Sequence, residues 1–241
     1  TLALLADDAG ALPRGHVEDH PRFAWRGLHV DVARHFLPRA DVVALIERMA
    51  ILKLDVLHLH LSDDQGFRLP VSGHPELTAV GGKDGSYTEE DIRAIVEHAR
   101  ARFVTVVPEI DVPGHVRAVL ASHPEVSCTG GPFEVPRTWG IFDDVLCVGN
   151  EATFTLLGDV LDALVRLFPS PWIHVGGDEV PEARWSACPK CQARMKAEGL
   201  RTARELQGWF GKRIAASGAV LGAAVASGPR GFALEDTEGG L

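Results

Sequence analysis

The sequence predicts a parallel α/β sheet of the (β/α)8 TIM-barrel type, with only about the first five strands present. Three observations carry that reading. Apolar strand-like runs alternate with helical stretches, the pattern of parallel βαβ units. Each strand-like run ends in a polar cluster: Arg34, then Asp63 and Asp64, then Asp111 and His115, then Asp178 and Glu179. At 241 residues, the chain is near the length of one barrel domain. Successive strand ends of a barrel converge on one face, so four such clusters in a row mark a candidate active site.

Residues 1–24 read as the tail of a preceding domain and a linker, with a short strand at Thr1–Leu5 and a connector from Pro13 to Pro21. Residues 25–241 read as the partial barrel. Gly27–Val32 is the first strand. Pro38 opens a helix in which Val42, Leu45, Ile46, Met49 and Leu52 follow helical spacing. Leu54–Leu61 is the second strand, and a polar, glycine-rich loop runs on to Ser86. Thr88 caps the next helix, with Glu89, Glu90 and Asp91 at its positive end and Ile92, Ile95, Val96 and Ala99 as its apolar stripe. Phe103–Ile110 is the third strand. A long loop, 122–149, carries Trp139 and two cysteines, and a helix from Thr153 to Phe168 follows.

The chain then reaches the stretch Trp172–Glu179: an apolar strand, two glycines and two adjacent carboxylates. Neighbours on a regular strand point to opposite faces. Glycine tolerates unusual backbone angles, so unwinding at Gly176-Gly177 can turn both acids toward one cavity. Pro181 suits the first turn of the next helix. Thr202-x-x-Glu205 is a capping box for a helix that stops at Gly218. Ala219–Ala226 reads as a fifth strand, and the remainder is glycine-rich and patternless.

The bulk numbers exclude several classes. The net charge is −9, from 33 acidic and 24 basic residues, which argues against a nucleic-acid face. No apolar run is long enough to span a bilayer; the longest, Gly218–Gly228, is short and carries Gly and Ser. The chain lacks a start methionine and a signal-like amino end, so it reads as a processed or excised piece and leaves its compartment unassigned. Its cysteines form two groups, Cys128 with Cys147 and Cys188 with Cys191. Cys188-Pro-Lys-Cys191 has zinc-knuckle spacing, and the other pair could complete a four-thiolate site. The spacing between the groups is poor for a zinc ribbon; a disulfide within either pair, or free thiols, are the alternatives.

A carboxylate-rich pocket with an arginine, a histidine and no evident nucleophilic Ser or Cys suits glycoside hydrolysis. Here Asp31-Val-Ala-Arg34-His35-Phe36, His60-Leu-Ser-Asp63-Asp64-Gln65, Glu109-Ile-Asp111-Val-Pro113-Gly114-His115 and His174-Val-Gly176-Gly177-Asp178-Glu179 resemble, in order and in placement, the motifs of the family 20 glycoside hydrolases, the β-N-acetylhexosaminidases. Pro21-Arg22-Phe23-Ala-Trp25-Arg26-Gly27 resembles that family's approach to its barrel. The match runs from about residue 18 to about 215.

The resemblance implies removal of terminal non-reducing β-linked N-acetylglucosamine or N-acetylgalactosamine by substrate-assisted catalysis with retention and without a cofactor or metal. It implies Glu179 as general acid and then base, and Asp178 as the holder of the acetamido N–H. Arg34 would bind sugar hydroxyls. Asp63 and His115 would form a relay toward Glu179, with Asp111 orienting that shell among the substrate-binding residues. The implied partners are N-acetylhexosamine-containing oligosaccharides or glycoconjugates.

The resemblance also implies features that this sequence lacks. The family's later strands bring a tyrosine for the acetamido oxygen, pocket-walling tryptophans and a Trp-x-Glu clamp. The single tyrosine here is Tyr87, in an early loop. An open five-stranded parallel sheet exposes its edges, so self-association to cover the open barrel is expected. Two other readings stand beside the hydrolase: an inactive or carbohydrate-binding remnant, and a metal-dependent barrel hydrolase built on the His-x-His spacing of His58 and His60.

Overall fold

The computed structural model describes residues 6–220, 224–227 and 232–233, with side chains up to residue 218. The expected strand at Thr1–Leu5 lies outside these residues, as does most of the stretch after residue 227. Residues 6–26 form no helix or strand and are almost wholly exposed.

Five parallel strands build the main sheet: β1 (Gly27–Asp31), β2 (Val56–His60), β5 (Thr105–Glu109), β6 (Trp172–His174) and β7 (Ala224–Ser227). They lie side by side in chain order, and β8 (Phe232–Ala233) pairs antiparallel with β7 at the edge. This is the first part of a barrel wall: each strand returns through helical connections to its neighbour, so all carboxyl ends share one rim. Between β2 and β5 the chain makes a small hairpin, β3 (Ser62–Asp63) with β4 (Gly66–Phe67), where only loop was expected.

The helices are α1 (Arg39–Ile51), α2 (Glu76–Gly81), α3 (Glu89–Arg100), α4 (Arg117–Ser122), α5 (Glu151–Leu167), α6 (Ala183–Ala187), α7 (Pro189–Ala197) and α8 (Ala203–Val220). The Thr88 cap forms as its sequence requires. Thr88 Oγ1 accepts the Asp91 N–H at 3.1 Å, and the Asp91 carboxylate accepts the Thr88 N–H at 3.0 Å. Ile92, Ile95 and Ala99 of α3 are buried, as the apolar stripe demands. Leu157, Val160 and Leu161 of α5 and Ile214 of α8 meet Ile110, Val112 and Val175 at the sheet, which fixes the rim from behind.

Several boundaries move: the second strand starts at Val56, the helix after the long loop starts at Glu151, and Pro181 lies ahead of the next helix, which starts at Ala183. Phe103 does not open the third strand: its φ is +57°, its side chain is exposed, and the strand starts at Thr105. The carboxyl end of α3 turns there, with the Phe103 N–H donating to Arg100 O at 3.1 Å. Helix α8 runs past Gly218 to Val220, because a glycine late in a helix costs only about 1 kcal/mol relative to alanine. The fifth strand accordingly begins at Ala224 instead of Ala219.

None of the four cysteines is joined in a disulfide. Their nearest approaches cross between the two sequence groups: Cys147 Sγ lies 3.7 Å from Cys188 Sγ and 3.8 Å from Cys191 Sγ, and Cys128 Sγ lies 3.8 Å from Cys191 Sγ.

Candidate active site

The parallel register places one inward-facing residue from each of four adjacent strands in a row: Asp31, His60, Glu109 and His174. Glu109 is the hub of this row. Its carboxylate lies 2.6 Å from His58 Nε2, 3.1 Å from His60 Nδ1, 3.1 Å from His174 Nδ1 and 3.6 Å from His29 Nε2. Burial alone would push the Glu109 carboxyl up, but the four imidazoles outweigh it and hold it far below the carboxylate range. Both imidazoles of the His58-x-His60 pair thus lie against an internal carboxylate.

Above this row the loops carry the expected residues. After β1, Asp31 Oδ1 accepts the backbone N–H groups of Ala33 and Arg34 at 3.0 and 2.9 Å, which curls the chain and returns the Arg34 side chain inward. Arg34 Nη1 then bonds Asp31 at 2.8 Å, and Nη2 pairs with Asp63 Oδ2 at 2.7 Å. The outer face of the guanidinium lies 4.7 Å from the Trp139 ring centroid. A cavity of about 770 Å³ adjoins it, bounded among others by Gln65, Asp84, Phe133 and Arg137.

The curl is pinned from beneath by Arg68, a fully buried residue that the sequence did not single out. It donates to Val32 O and Ala33 O at 2.9 and 2.6 Å and pairs with Asp84 at 2.5 Å. Tyr87, the single tyrosine, is buried behind it and donates to Leu37 O.

The β3–β4 hairpin turns Asp63 and Asp64 to the same histidine. His115 Nδ1 lies 3.2 Å from Asp64 Oδ2 and 3.4 Å from Asp63 Oδ1, and its Nε2 lies 3.4 Å from Glu179 Oε2. Asp63 also receives His60 Nε2 at 2.9 Å. A continuous polar path thus runs from Glu179 through His115, Asp63 and His60 to Glu109.

The charges from His115 inward are held by their partners. Hydrogen bonds to Asp63 and Asp64 push the His115 imidazolium up to about 11 against the effect of burial. Burial works against charge on Asp63 and on His60 as well. The hydrogen bonds from His115 and His60 nevertheless hold the Asp63 carboxyl well below its usual range, and those to Asp63 and Glu109 push His60 up to about 10.

Asp111, expected among the substrate-binding residues, is 3% exposed and lies beneath the acid loop. Its Oδ1 accepts the Gly177 N–H at 3.0 Å. A Cβ on Gly176 would sit 1.8 Å from that same oxygen, and the Gly176 φ is +63°. Glycine is therefore required twice over, for the backbone angle and for the approach of Asp111. This geometry places Asp111 beneath the turn, against Gly176 and Gly177. Burial, reinforced by the Glu109 charge, pushes its carboxyl up to about 7. Gln207 of α8 donates to Gly177 O at 2.7 Å and holds the other side of the turn. Asp178 and Glu179 then emerge exposed on the rim, Glu179 with a φ of +49° and His115 opposite with +53°.

Residues 23–223 match the family model described as "Glycosyl hydrolase family 20, catalytic domain". The chain is 41% identical over 211 residues to a β-hexosaminidase of Porphyromonas gingivalis, covering 84% of this chain and 27% of that protein. Its fold matches a Flavobacterium johnsoniae chitobiase with a TM-score of 0.83 and 39% identity, over 86% of this chain and 32% of the other. A Vibrio harveyi exo-β-N-acetylglucosaminidase, solved in complex with N-acetylglucosamine, matches with a TM-score of 0.79 and 35% identity, over 87% and 36%. The chain thus spans roughly a third of the length of these relatives.

Proposed function

Because the chain belongs to glycosyl hydrolase family 20, we propose that it supplies the acid-bearing side of a β-N-acetylhexosaminidase barrel, which removes terminal β-linked N-acetylhexosamine from oligosaccharides such as chitobiose. The observation that carries this reading is the joint held by Asp63. One oxygen takes Arg34 Nη2, and the carboxylate also faces His115, whose far nitrogen reaches Glu179. One buried anion therefore sets both a donor for sugar hydroxyls and the ring that addresses the acid.

In the first step Glu179 gives its proton to the leaving oxygen, while the substrate's own acetamido oxygen closes on the anomeric carbon. Asp178 accepts the acetamido N–H and offsets the positive charge that develops on the ring so formed. The Glu179 carboxylate left behind lies next to the His115 imidazolium, which stabilises it. In the second step that carboxylate takes a proton from water, and the water oxygen bonds the anomeric carbon and reopens the ring. Two displacements at one carbon retain its configuration. Asp64 shares His115 with Asp63, and Asp111 holds the Gly176-Gly177 turn so that the acid pair faces the mouth.

The test is hydrolysis of aryl N-acetylglucosaminides by the chain and by Glu179→Gln, with the plain glucoside alongside. Turnover should require the acetamido group. The variant should lose about 10²–10⁴-fold on substrates with poor leaving groups and far less on nitrophenyl glycosides. Equal loss on both would remove Glu179 from the acid role.

A second reading is favoured by one observation. The Glu179 side chain is 51% exposed, whereas a general acid works in a closed pocket. Sugar binding without turnover would support a carbohydrate-binding piece. The open strand edge supports the further proposal that a second copy covers it; a monomer in size-exclusion chromatography would count against that. Among the described residues no helix is long and apolar enough to cross a membrane.

A further inference from the structure

We propose that Cys128, Cys147, Cys188 and Cys191 bind one zinc ion as a structural four-thiolate site. All four sulfurs lie within 4.8 Å of one another, and the closest pairs are 3.7–3.8 Å apart. A tetrahedron of thiolates with Zn–S bonds of about 2.3 Å has edges of about 3.8 Å. A disulfide needs its sulfurs at about 2.05 Å, so no pair is bonded as it stands. Four soft donors gathered within this span are the set that selects zinc over the hard divalent ions.

The arms of the site are built for it. Cys188-Pro-Lys-Cys191 is a two-residue knuckle that runs into α7, with Pro189 in the first turn. Cys128 and Cys147 bracket a long loop whose base is closed by the antiparallel bridge of Ser127 with Leu146, and the Cys147 N–H donates to Val126 O at 2.7 Å. The loop then crosses the knuckle at Gly149. A Cβ there would lie 2.1 Å from the carbonyl carbon of Lys190 and 2.5 Å from the Cys191 nitrogen, so only glycine permits the crossing.

Cys147, Cys188 and Cys191 are buried and Cys128 is half-buried. A small cavity of about 140 Å³, lined by Cys128, Cys188, Asp143 and Arg184, gives an ion its way in. None of these residues takes part in the path from Glu179 to Glu109, so the site stands apart from the proposed chemistry.

The ion would fasten together two walls of the mouth. The bracketed loop carries Trp139, whose ring lies over Arg34, and the knuckle ends the segment that leaves Glu179 through α6. Zinc therefore fixes the span between the arginine wall and the acid wall.

The experiment uses the whole chain, purified without chelator under reducing conditions. Elemental analysis should return one zinc per chain, released when a mercurial blocks the thiols. Cobalt(II) exchanged into the site should give thiolate-to-metal charge transfer and the intense visible bands of tetrahedral coordination. Chelator should lower the melting temperature, and zinc but not magnesium should restore it. Cys191→Ser should lose the bound zinc; the cobalt spectrum of the unaltered chain decides the matter if that variant does not fold. The proposal is overturned if the chain, folded by circular dichroism, is free of zinc and gives only an octahedral cobalt spectrum. Retained iron in place of zinc would overturn it too, as would peptide mapping that finds native disulfides between Cys128 and Cys191 or Cys147 and Cys188.

Discussion

Asp63 and Glu179 stand on opposite sides of one imidazole, yet the Asp63 side chain is 1% exposed and the Glu179 side chain 51% exposed. The buried end is saturated. Asp63 faces Arg34, His60 and His115 at once, and moving it would take from each of them one of its carboxylate partners. The exposed end rests on a single histidine contact and on a turn held by Asp111 and Gln207. The difference separates two tasks. The first three parallel strands build a charged platform; the fourth carries Glu179 to its edge.

Breaking the buried end should have the largest effect on the fold. Asp63→Ala removes a buried anion shared by three cations, and a cost of about 3–5 kcal/mol in urea unfolding is expected. Glu179→Gln at the other end should leave stability within about 0.5 kcal/mol while lowering turnover of substrates with poor leaving groups. Similar stability losses for both would erase the distinction between platform and edge.

Gly176→Ala attacks the joint between the two. A methyl group at 1.8 Å from the Asp111 oxygen cannot be accommodated without moving the acid loop. We expect a stability loss of about 1–3 kcal/mol from the left-handed backbone angle, with activity falling further than stability accounts for. Unchanged activity would mean that the turn does not aim the acids.

The smallest effect is in pH dependence. The Asp111 carboxyl is raised from 3.8 to about 7, so the fold favours its protonated form. Its relative contribution is full below pH 3.8 and is lost as pH rises through about 7. Asp111→Asn removes that titration, and the stability advantage of the natural residue over Asn should shrink between pH 5 and pH 8. The platform behaves in the opposite sense at low pH. Asp63 is held below 3.8, so its contribution is present above that value and lost as pH falls through its lowered titration. His115 contributes fully below 6.5 and loses its part as pH rises toward about 11. Urea titrations at pH 5 and 8 read the sign directly; a gap that widens with pH would contradict the buried, proton-favouring place of Asp111.

Much of this site was legible because its residues follow periodic strands. Arg34, Asp63, His115, Asp178 and Glu179 each lie just past an apolar run, and parallel strands bring such ends to one rim. Asp64 was harder to read. Adjacent residues on a strand point apart, and only the hairpin reversal turns both aspartates to His115. The row on Glu109 required register: His29, His58, His60 and His174 come from three strands, and no local spacing announces that they share a carboxylate. Arg68 and Gln207 act through backbone carbonyls, which leave no trace in side-chain patterns. The cysteines show the same limit most plainly. Cys128 and Cys191 are 63 positions apart, and their contact exists only because Gly149 lets one loop cross another.

His115 and Glu179 are both held in the left-handed backbone region, which glycine and asparagine occupy at lower cost. Replacing Glu179 by either would relax the main chain and remove the acid in one step. Selection for a well-behaved, abundant protein and selection for a working one therefore pull in opposite directions at this position. A library screened only for heat resistance should enrich glycine or asparagine at residue 179, a substitution that makes the chain sturdier and, on the proposed mechanism, idle.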